Sequence, residues 1–377
     1  MSIRGVIGQE RVKLMLQAAI RNNRVAHSYL FHGPSGVGKD AMAFALAQAL
    51  NCNEDREDAC GRCEECVKFQ TLSHPNLSLV FALPVGKEEK TGDSPLAKLS
   101  ADEIELVREQ LRLKAGNPYH NISLPRATTI KVNSIRDLRR QAALTVHGKG
   151  KKVFVILDAE NLNDESANAL LKTVEEPTPS THLILTTSKK ENLLPTIISR
   201  CQSVRFDILS DEAIAGYLHT KHNIASEQAG IISRLSNGSM SRAIALLDAD
   251  LQKQREQAVE FLRCISRWDL PSLSKFIEDL VREYDRTEIG QILILLGLWL
   301  RDAMTMSEEI QSIVNLDQKE SIERFMKRYP NYNYGYAQQA VESAISLVSR
   351  NVYIPLVFYT LTVELKKAIS HIHSVEA

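Results

Sequence analysis

A short apolar run, Tyr29-Leu30-Phe31, leads into Gly33-Pro34-Ser35-Gly36-Val37-Gly38-Lys39-Asp40, after which Ala41 to Leu50 reads as a helix. This is a P-loop, G-x-x-x-x-G-K-[ST], in every position but the last. The motif demands a buried strand, a tight glycine turn and a helix in that order. Backbone amides and the helix N-terminus then converge on one phosphate-sized space. In this reading Gly33, Gly36 and Gly38 shape the cradle and Lys39 reaches the β- and γ-phosphates. The residue whose hydroxyl would hold magnesium is replaced by a carboxylate, Asp40.

A chain of 377 residues, 44% of them apolar, can build two or three domains with real cores. Its 46 basic and 46 acidic residues cancel. Autonomous nucleic-acid binding would call for a basic excess, so any such contact is expected to be a local or shared patch. The N-terminal residues show no signal-peptide pattern, and the longest apolar run, Ile292 to Leu300, is too short to span a bilayer. The expectation is a soluble, cytoplasmic protein with no membrane partner.

Four of the six cysteines cluster as Cys52-x7-Cys60-x2-Cys63-x2-Cys66. In a cytosolic chain this spacing fits a tetrahedral zinc site with four thiolate ligands better than disulfides. With all four ligands from protein, such a site is structural. The competing reading is free thiols in a loop. Residues 84–130 open with a charged, Gly- and Pro-containing stretch without periodicity, expected to be a mobile surface loop. Ser100 to Leu113 follows as a helix capped by Ser100 or Asp102. No chemistry is assigned to this insertion.

Before the P-loop, Val12, Leu16, Ala19 and Ile20 fall on one helical face, and His27 reads as a turn residue entering the first strand. From Thr129 the pattern tightens. Ile130-Lys131-Val132 reads as a short strand and Ser134 to Leu144 as a helix. Val153 to Leu157 is apolar on both faces, as in a central strand of a parallel sheet, and ends in Asp158. An acidic residue there is a magnesium-ligand candidate, the Walker B position; a polar strand end is the plain alternative. Ala159 follows where a catalytic glutamate would be expected. Glu160 comes one place later, on the opposite face if the strand continues. A helix from Asn163 is stopped by Pro177. The strand His182 to Ser188 ends in Thr187, either a γ-phosphate sensor or an ordinary strand-end hydroxyl. A short helical turn leads to Ser199-Arg200-Cys201, and the chain past Phe206 reads as helical.

Taken in order, His27-Ser28-Tyr29-Leu30-Phe31-x-Gly33-Pro34, the P-loop, the four cysteines, Asn168-Ala169-Leu170-Leu171-Lys172-Thr173-x-Glu175-Glu176-Pro177 and Ser199-Arg200-Cys201 resemble the bacterial clamp-loader ATPases of the AAA+ class. The resemblance spans roughly the first 200 residues. It implies an α/β RecA-like AAA+ core over 1–207, a parallel sheet with flanking helices that carries the zinc module (52–66) and the insertion (84–130). An all-α lid over 208–250 and an all-α collar over 251–377 would follow.

The departures from the family share one direction. Asp40 replaces Ser or Thr, Asp158-Ala159 replaces Asp-Glu, and Ser241 stands where the lid arginine belongs, with Arg242 one place late. Together they imply loss of hydrolysis and leave binding of ATP and magnesium open. The intact Ser199-Arg200-Cys201 implies that Arg200 acts in trans on a neighbour's ATP, although alone it would read as a surface arginine in a salt bridge. The implied partners are the ATPase subunits and the clamp-opening subunit of a hetero-pentamer, the sliding clamp, and primer–template DNA through the assembly. A working ATPase and a zinc-bearing DNA-binding module are the two rival readings.

Overall fold

A computed structural model describes the chain except residues 1, 55–56, 87–89, 91, 149, 177, 249–250, 308–312, 314, 316–317, 351 and 371–377. Pro177, the proline expected to stop a helix, lies outside the described residues. The chain divides into two compact units, one of Met1–Asn223 with Asn237–Arg242, the other of Ile224–Ser236 with Ala243–Ala377. The stretch 208–250, expected as a lid, contributes to both.

The first unit is α/β. Its elements are α1 (Glu10–Arg21), β1 (Ser28–His32), α2 (Lys39–Ala49), α3 (Glu64–Gln70), β2 (Leu77–Val80), α4 (Ala101–Gly116), α5 (Val132–Ala143) and β3 (Lys152–Ile156), then α6 (Asp164–Glu175), β4 (Thr181–Thr187), α7 (Pro195–Ile198), β5 (Gln202–Arg205) and α8 (Asp211–His222). The five strands are all parallel in the order β2-β3-β4-β1-β5. The RecA-like AAA+ architecture inferred from the motifs is therefore present. Strand β1 lies inside the sheet, between β4 and β5, so the loop that leaves it opens at the strands' C-terminal ends. This is where open parallel sheets place their ligands. Leu30, Phe154, Ile156, Leu183 and Leu185 turn one sheet face toward Ile135 and Leu138 of α5 and Leu170 and Val174 of α6. Helix α2 is apolar nearly all round and, apart from Asp40, fully buried.

Two expectations fail. Ile130-Lys131-Val132 is not a strand: Ile130 makes one isolated bridge to Leu162, and Lys131 is the N-cap of α5. The stretch from residue 84 is not a free loop where it is described. Pro84 and Gly86 are buried, and Asn133 ties it to α5 by accepting from the Gly92 amide at 2.9 Å and donating to the Lys90 carbonyl at 3.0 Å. The helix that follows matches its expectation, with Ser100 and Glu103 forming a reciprocal capping box.

The second unit is all helical. Helices α9 (Ser226–Leu235) and the greater part of α10 (Met240–Asp248) precede α11 (Leu251–Arg267), α12 (Leu270–Glu283), α13 (Arg286–Ser307), α14 (Lys319–Arg328), α15 (Tyr334–Ser349) and α16 (Ile354–Ser370). Helix α13 is central, packed by α11, α14 and α15 and burying Leu293, Leu296, Trp299 and Leu300 among others. By length and composition it would cross a membrane, yet 61% of its apolar stretch is buried inside the fold, as for a core helix.

Candidate nucleotide cradle and four-cysteine centre

The P-loop backbone has the geometry its glycines permit. Gly36 and Gly38 have φ of 78° and 97°, in the left-handed region closed to most side chains. A Cβ on Gly33 would stand 2.3 Å from the Phe206 carbonyl oxygen, so only glycine lets the loop pass the backbone just beyond β5. In the loop as folded, the Lys39 ammonium donates back to the carbonyls of Gly33 at 2.8 Å and Pro34 at 2.6 Å. Burial holds its pKa below the usual lysine value, against the pull of Asp40, Asp158 and Glu160.

Asp40 has a partner that sequence reasoning missed. The Lys114 ammonium, from the last turn of α4, lies 2.6 Å from the Asp40 carboxylate and donates at 2.6 Å to the His120 carbonyl. The Lys114 side chain is 1% exposed. Burial alone would raise the Asp40 pKa. The charge and hydrogen bond of Lys114, with Thr186 and Lys39 adding to them, hold it below the ordinary carboxylate range instead. No spacing rule links positions 40 and 114, and on its own helix Lys114 reads as one more surface lysine.

The insertion also supplies Tyr119. Its ring would lie 3.2 Å from a Cβ on Gly38, its hydroxyl accepts from the Ile7 amide at 3.0 Å, and its carbonyl accepts from the Ser241 hydroxyl. Ser239 and Ser241 press on Gly36, where a Cβ would meet the Ser239 Oγ at 2.0 Å, and the Met240 amide donates to the Gly36 carbonyl at 2.9 Å. The space left among Ser35, Lys39, Asp40, Tyr119, Asp158 and Ser241 in the loop as folded is about 20 Å³, about the room of one water. Arg242 is half-buried and makes a backbone bond to the Ser239 Oγ at 3.4 Å; burial lowers its pKa.

Asp158 sits at the mouth of this space in a left-handed conformation, φ 48°, two residues past the end of β3. Its carboxyl is pushed up to about 6 by desolvation under the loop and by the charges of Asp40 and Glu160. Since part of Asp158 faces solvent, the neighbouring carboxylates weigh more here than burial does. Glu160 belongs to a 3-10 turn over Ala159–Asn161, so strand alternation does not decide where it points. Its carboxylate accepts from the Ser188 amide at 3.1 Å and the Ser188 hydroxyl at 2.7 Å, at the end of β4. Thr187 is fully buried and its hydroxyl accepts from the Lys189 amide at 3.0 Å, a strand-end role; its neighbour Thr186 meets Asp40. His27 is a turn residue paired with Ser28 at 2.9 Å.

Away from the cradle, Arg200 follows α7. It is 40% exposed, and it pairs with Glu175 at 2.9 Å and donates to the Thr196 carbonyl at 3.1 Å. The pair links the two motifs Asn168–Pro177 and Ser199–Cys201, while the Cys201 side chain anchors the second in the core.

Cys52, Cys60 and Cys63 lie between the end of α2 and the start of α3, and Cys66 stands in the first turn of α3. Their sulfur atoms all fall within 4.8 Å of one another, and no disulfide links them. The Cys60–Cys66 Sγ separation is 3.9 Å. A tetrahedral zinc with bonds of about 2.3 Å has ligand–ligand edges of about 3.8 Å, whereas a disulfide needs about 2.05 Å. Backbone amides of Cys60 and Cys63 donate at 3.3 Å to the sulfurs of Cys52 and Cys60, as expected where sulfur carries thiolate charge. The cluster therefore fits zinc. Asp58 clamps it to the N-terminus by accepting from the amides of Ile3, at 2.6 Å, and Arg4, at 3.0 Å.

A parallel sheet in the order β2-β3-β4-β1-β5, with a P-loop leaving an interior strand, defines the RecA-like P-loop class, here with a four-thiol module beside it. The family model described as "DNA polymerase III, delta subunit" matches residues 8–210, more than half of the chain, which belongs to that family. Similar proteins include the DNA polymerase III subunit delta' of Bacillus subtilis, 28% identical over 63% of this chain, and that of Haemophilus influenzae, 27% identical over 63%. The chain spans 59% of the length of each of these relatives. The DNA polymerase III subunit tau of B. subtilis is 27% identical over 73% of this chain and 43% of its own. A DNA polymerase III gamma subunit-related protein from Thermotoga maritima aligns over 96% of this chain and 99% of its own, with 11% identity and a TM-score of 0.41, too distant to bear on function.

Proposed function

We propose that this chain is a delta-prime-like subunit of a cytoplasmic clamp loader that does not hydrolyse ATP. It would help load the sliding clamp onto primed DNA, within a hetero-pentamer of ATPase subunits and a clamp-opening subunit. The observation that carries the non-hydrolysing part is the Lys114–Asp40 pair. The position after the P-loop lysine, where a hydroxyl would hold magnesium, carries a carboxylate already neutralised by a tethered ammonium. The Lys114 ammonium engages the carboxylate that would otherwise be offered to a metal, and Tyr119 and the turn 239–241 crowd the loop glycines. Asp158, raised toward neutrality and without an adjacent glutamate, is a weak magnesium ligand and leaves no base for the attacking water.

Arg200 is the group by which the subunit would act on chemistry elsewhere. An arginine placed in trans against a γ-phosphate can raise turnover by about 10³- to 10⁵-fold. Its present partner does not oppose this: a half-exposed ion pair is worth about 0–1 kcal/mol, so Glu175 can release the guanidinium to a phosphate. Purified chain should show no ATP turnover, with or without Lys39→Ala. In the assembled loader Arg200→Ala should lower the partners' turnover by at least about 100-fold. Turnover by the lone chain that Lys39→Ala abolishes would make it a working ATPase. Unchanged partner turnover would remove the role of Arg200.

A further inference from the structure

The second unit holds a cleft of about 300 Å³ that the P-loop chemistry does not use. It opens between α11, α13 and α14. Its floor is apolar, made by Leu262 and by Trp299, which is 3% exposed. Its rim carries four arginines, Arg263, Arg267, Arg324 and Arg328, all exposed. Among the described residues the one carboxylate that pairs with them is Glu260, at 3.1 Å from Arg263 and 4.0 Å from Arg267. Among the described residues Arg324 donates to the Glu320 carbonyl and Arg328 to the Tyr329 hydroxyl, through Nε in each case, and neither guanidinium fork meets a carboxylate. On the wall, Tyr329, which burial would push up, is held below the ordinary phenol value first by a hydrogen bond with Ser266, then by its bond with Arg328 and the charges of Arg328 and Lys366.

We propose that this cleft docks a short acidic peptide segment of a partner protein, with one large apolar side chain against Trp299 and carboxylates on the arginines. Charge complementarity selects an anion, since planar guanidinium forks match carboxylates in bidentate geometry. The shape selects a side chain over a nucleobase. Trp299 and Phe325 meet edge-on at 5.3 Å and 84°, and Phe325 in turn meets Tyr332 at 5.2 Å and 79°. The Tyr329 ring is covered by the Arg328 guanidinium at 5.8 Å. No row of open aromatic faces remains on which successive bases could stack. A bounded apolar recess inside a cationic rim is the form in which arginine clusters read acidic motifs. The proposal does not depend on the reading of the P-loop.

The full-length chain would be titrated against the fluorescein-labelled peptide Gly-Asp-Glu-Phe-Asp-Glu-Gly, followed by anisotropy at about 0.15 M salt. Saturable binding on the order of 10–100 µM is expected. Replacing the peptide's Phe by Ser, or introducing Arg324→Glu with Arg328→Glu, should each weaken it by at least about tenfold. Both arginines are exposed, so the double variant should keep its circular dichroism and melting temperature. Ser266→Trp, which fills the cleft, should abolish binding while retaining the rim charges. Absence of saturation up to about 1 mM would overturn the proposal. So would equal binding of the Ser peptide, or displacement by an oligothymidylate of matched charge at lower concentration, which would make the surface a nucleic-acid contact.

Discussion

A buried lysine needs a reason, because an ammonium that loses its water must recover the cost in paired charge and hydrogen bonds. Lys114 recovers it from Asp40 and the His120 carbonyl. Removing it should be costly: Lys114→Met leaves Asp40 beside the cradle without its partner and is expected to lose about 3 kcal/mol, read as a lower urea midpoint. Adding Asp40→Asn should return most of that loss, and a single variant as stable as the parent would refute the pairing. Since Asp40 is held below its unfolded value, its contribution is complete above about pH 4 and is lost as pH falls through the folded value. Asp158 has the opposite sign. Its folded pKa of about 6 lies above the unfolded one, so the ionised carboxylate opposes folding above pH 6, and the penalty disappears below about pH 4 where both states are protonated. Asp158→Asn should therefore raise the melting temperature at pH 8 and leave it unchanged near pH 4. A drop at pH 8 would mean that Asp158 holds a structural contact its charge does not reveal.

Among the elements, the four-cysteine module is the clearest to test, because α3 is seven residues long and buries little beyond Cys66 and Phe69. A helix of that length does not hold itself in water, and a zinc on the four thiols would supply local stability there. The purified chain should carry about one zinc per molecule. Chelation or Cys66→Ser should release it and open residues 51–70 to hydrogen exchange while β3 and β4 stay protected; full protection of 51–70 after metal loss would make the thiols incidental. The same elements show what could be read in advance. Strands β1, β3 and β4 are interior to the sheet and therefore continuously apolar, so they stand out in the sequence. Edge strand β2, Leu77-Ser78-Leu79-Val80, is four residues long and half-covered, too short to announce itself. Ile130-Lys131-Val132 has the alternation of a strand, but Lys131 caps α5, and only the tertiary position of Ile130 against Leu162 decides the matter. The glycines and Lys39 were legible as a local motif. Their closure by Lys114 and Tyr119 was not, because it joins Asp40 to Lys114 across 74 residues and Gly38 to Tyr119 across 81 (119 − 38), through a helix of ordinary pattern and the turn after it.

For the whole molecule the governing quantity is charge: 46 basic against 46 acidic residues, with no net field to draw a polyanion. Of its arginines, Arg200 stands beside Glu175 and four ring one cleft. A protein that neutralises several phosphates loses affinity steeply with salt, by about 10³ or more between 50 and 200 mM for six contacts. The isolated chain should show neither strong binding nor that slope. Titrated with fluorescein-labelled primer–template DNA at about 0.15 M salt, it should not saturate below the non-specific range of about 10⁻⁴–10⁻⁶ M. Its log–log salt slope should stay near the value for one or two contacts. The assembled loader, which brings other subunits' surfaces to the same DNA, should bind tightly and with a steep slope. Sub-micromolar binding by the lone chain, falling steeply with salt, would instead show a contiguous basic surface on this subunit and return the zinc-bearing DNA-binding module to the first place among its functions.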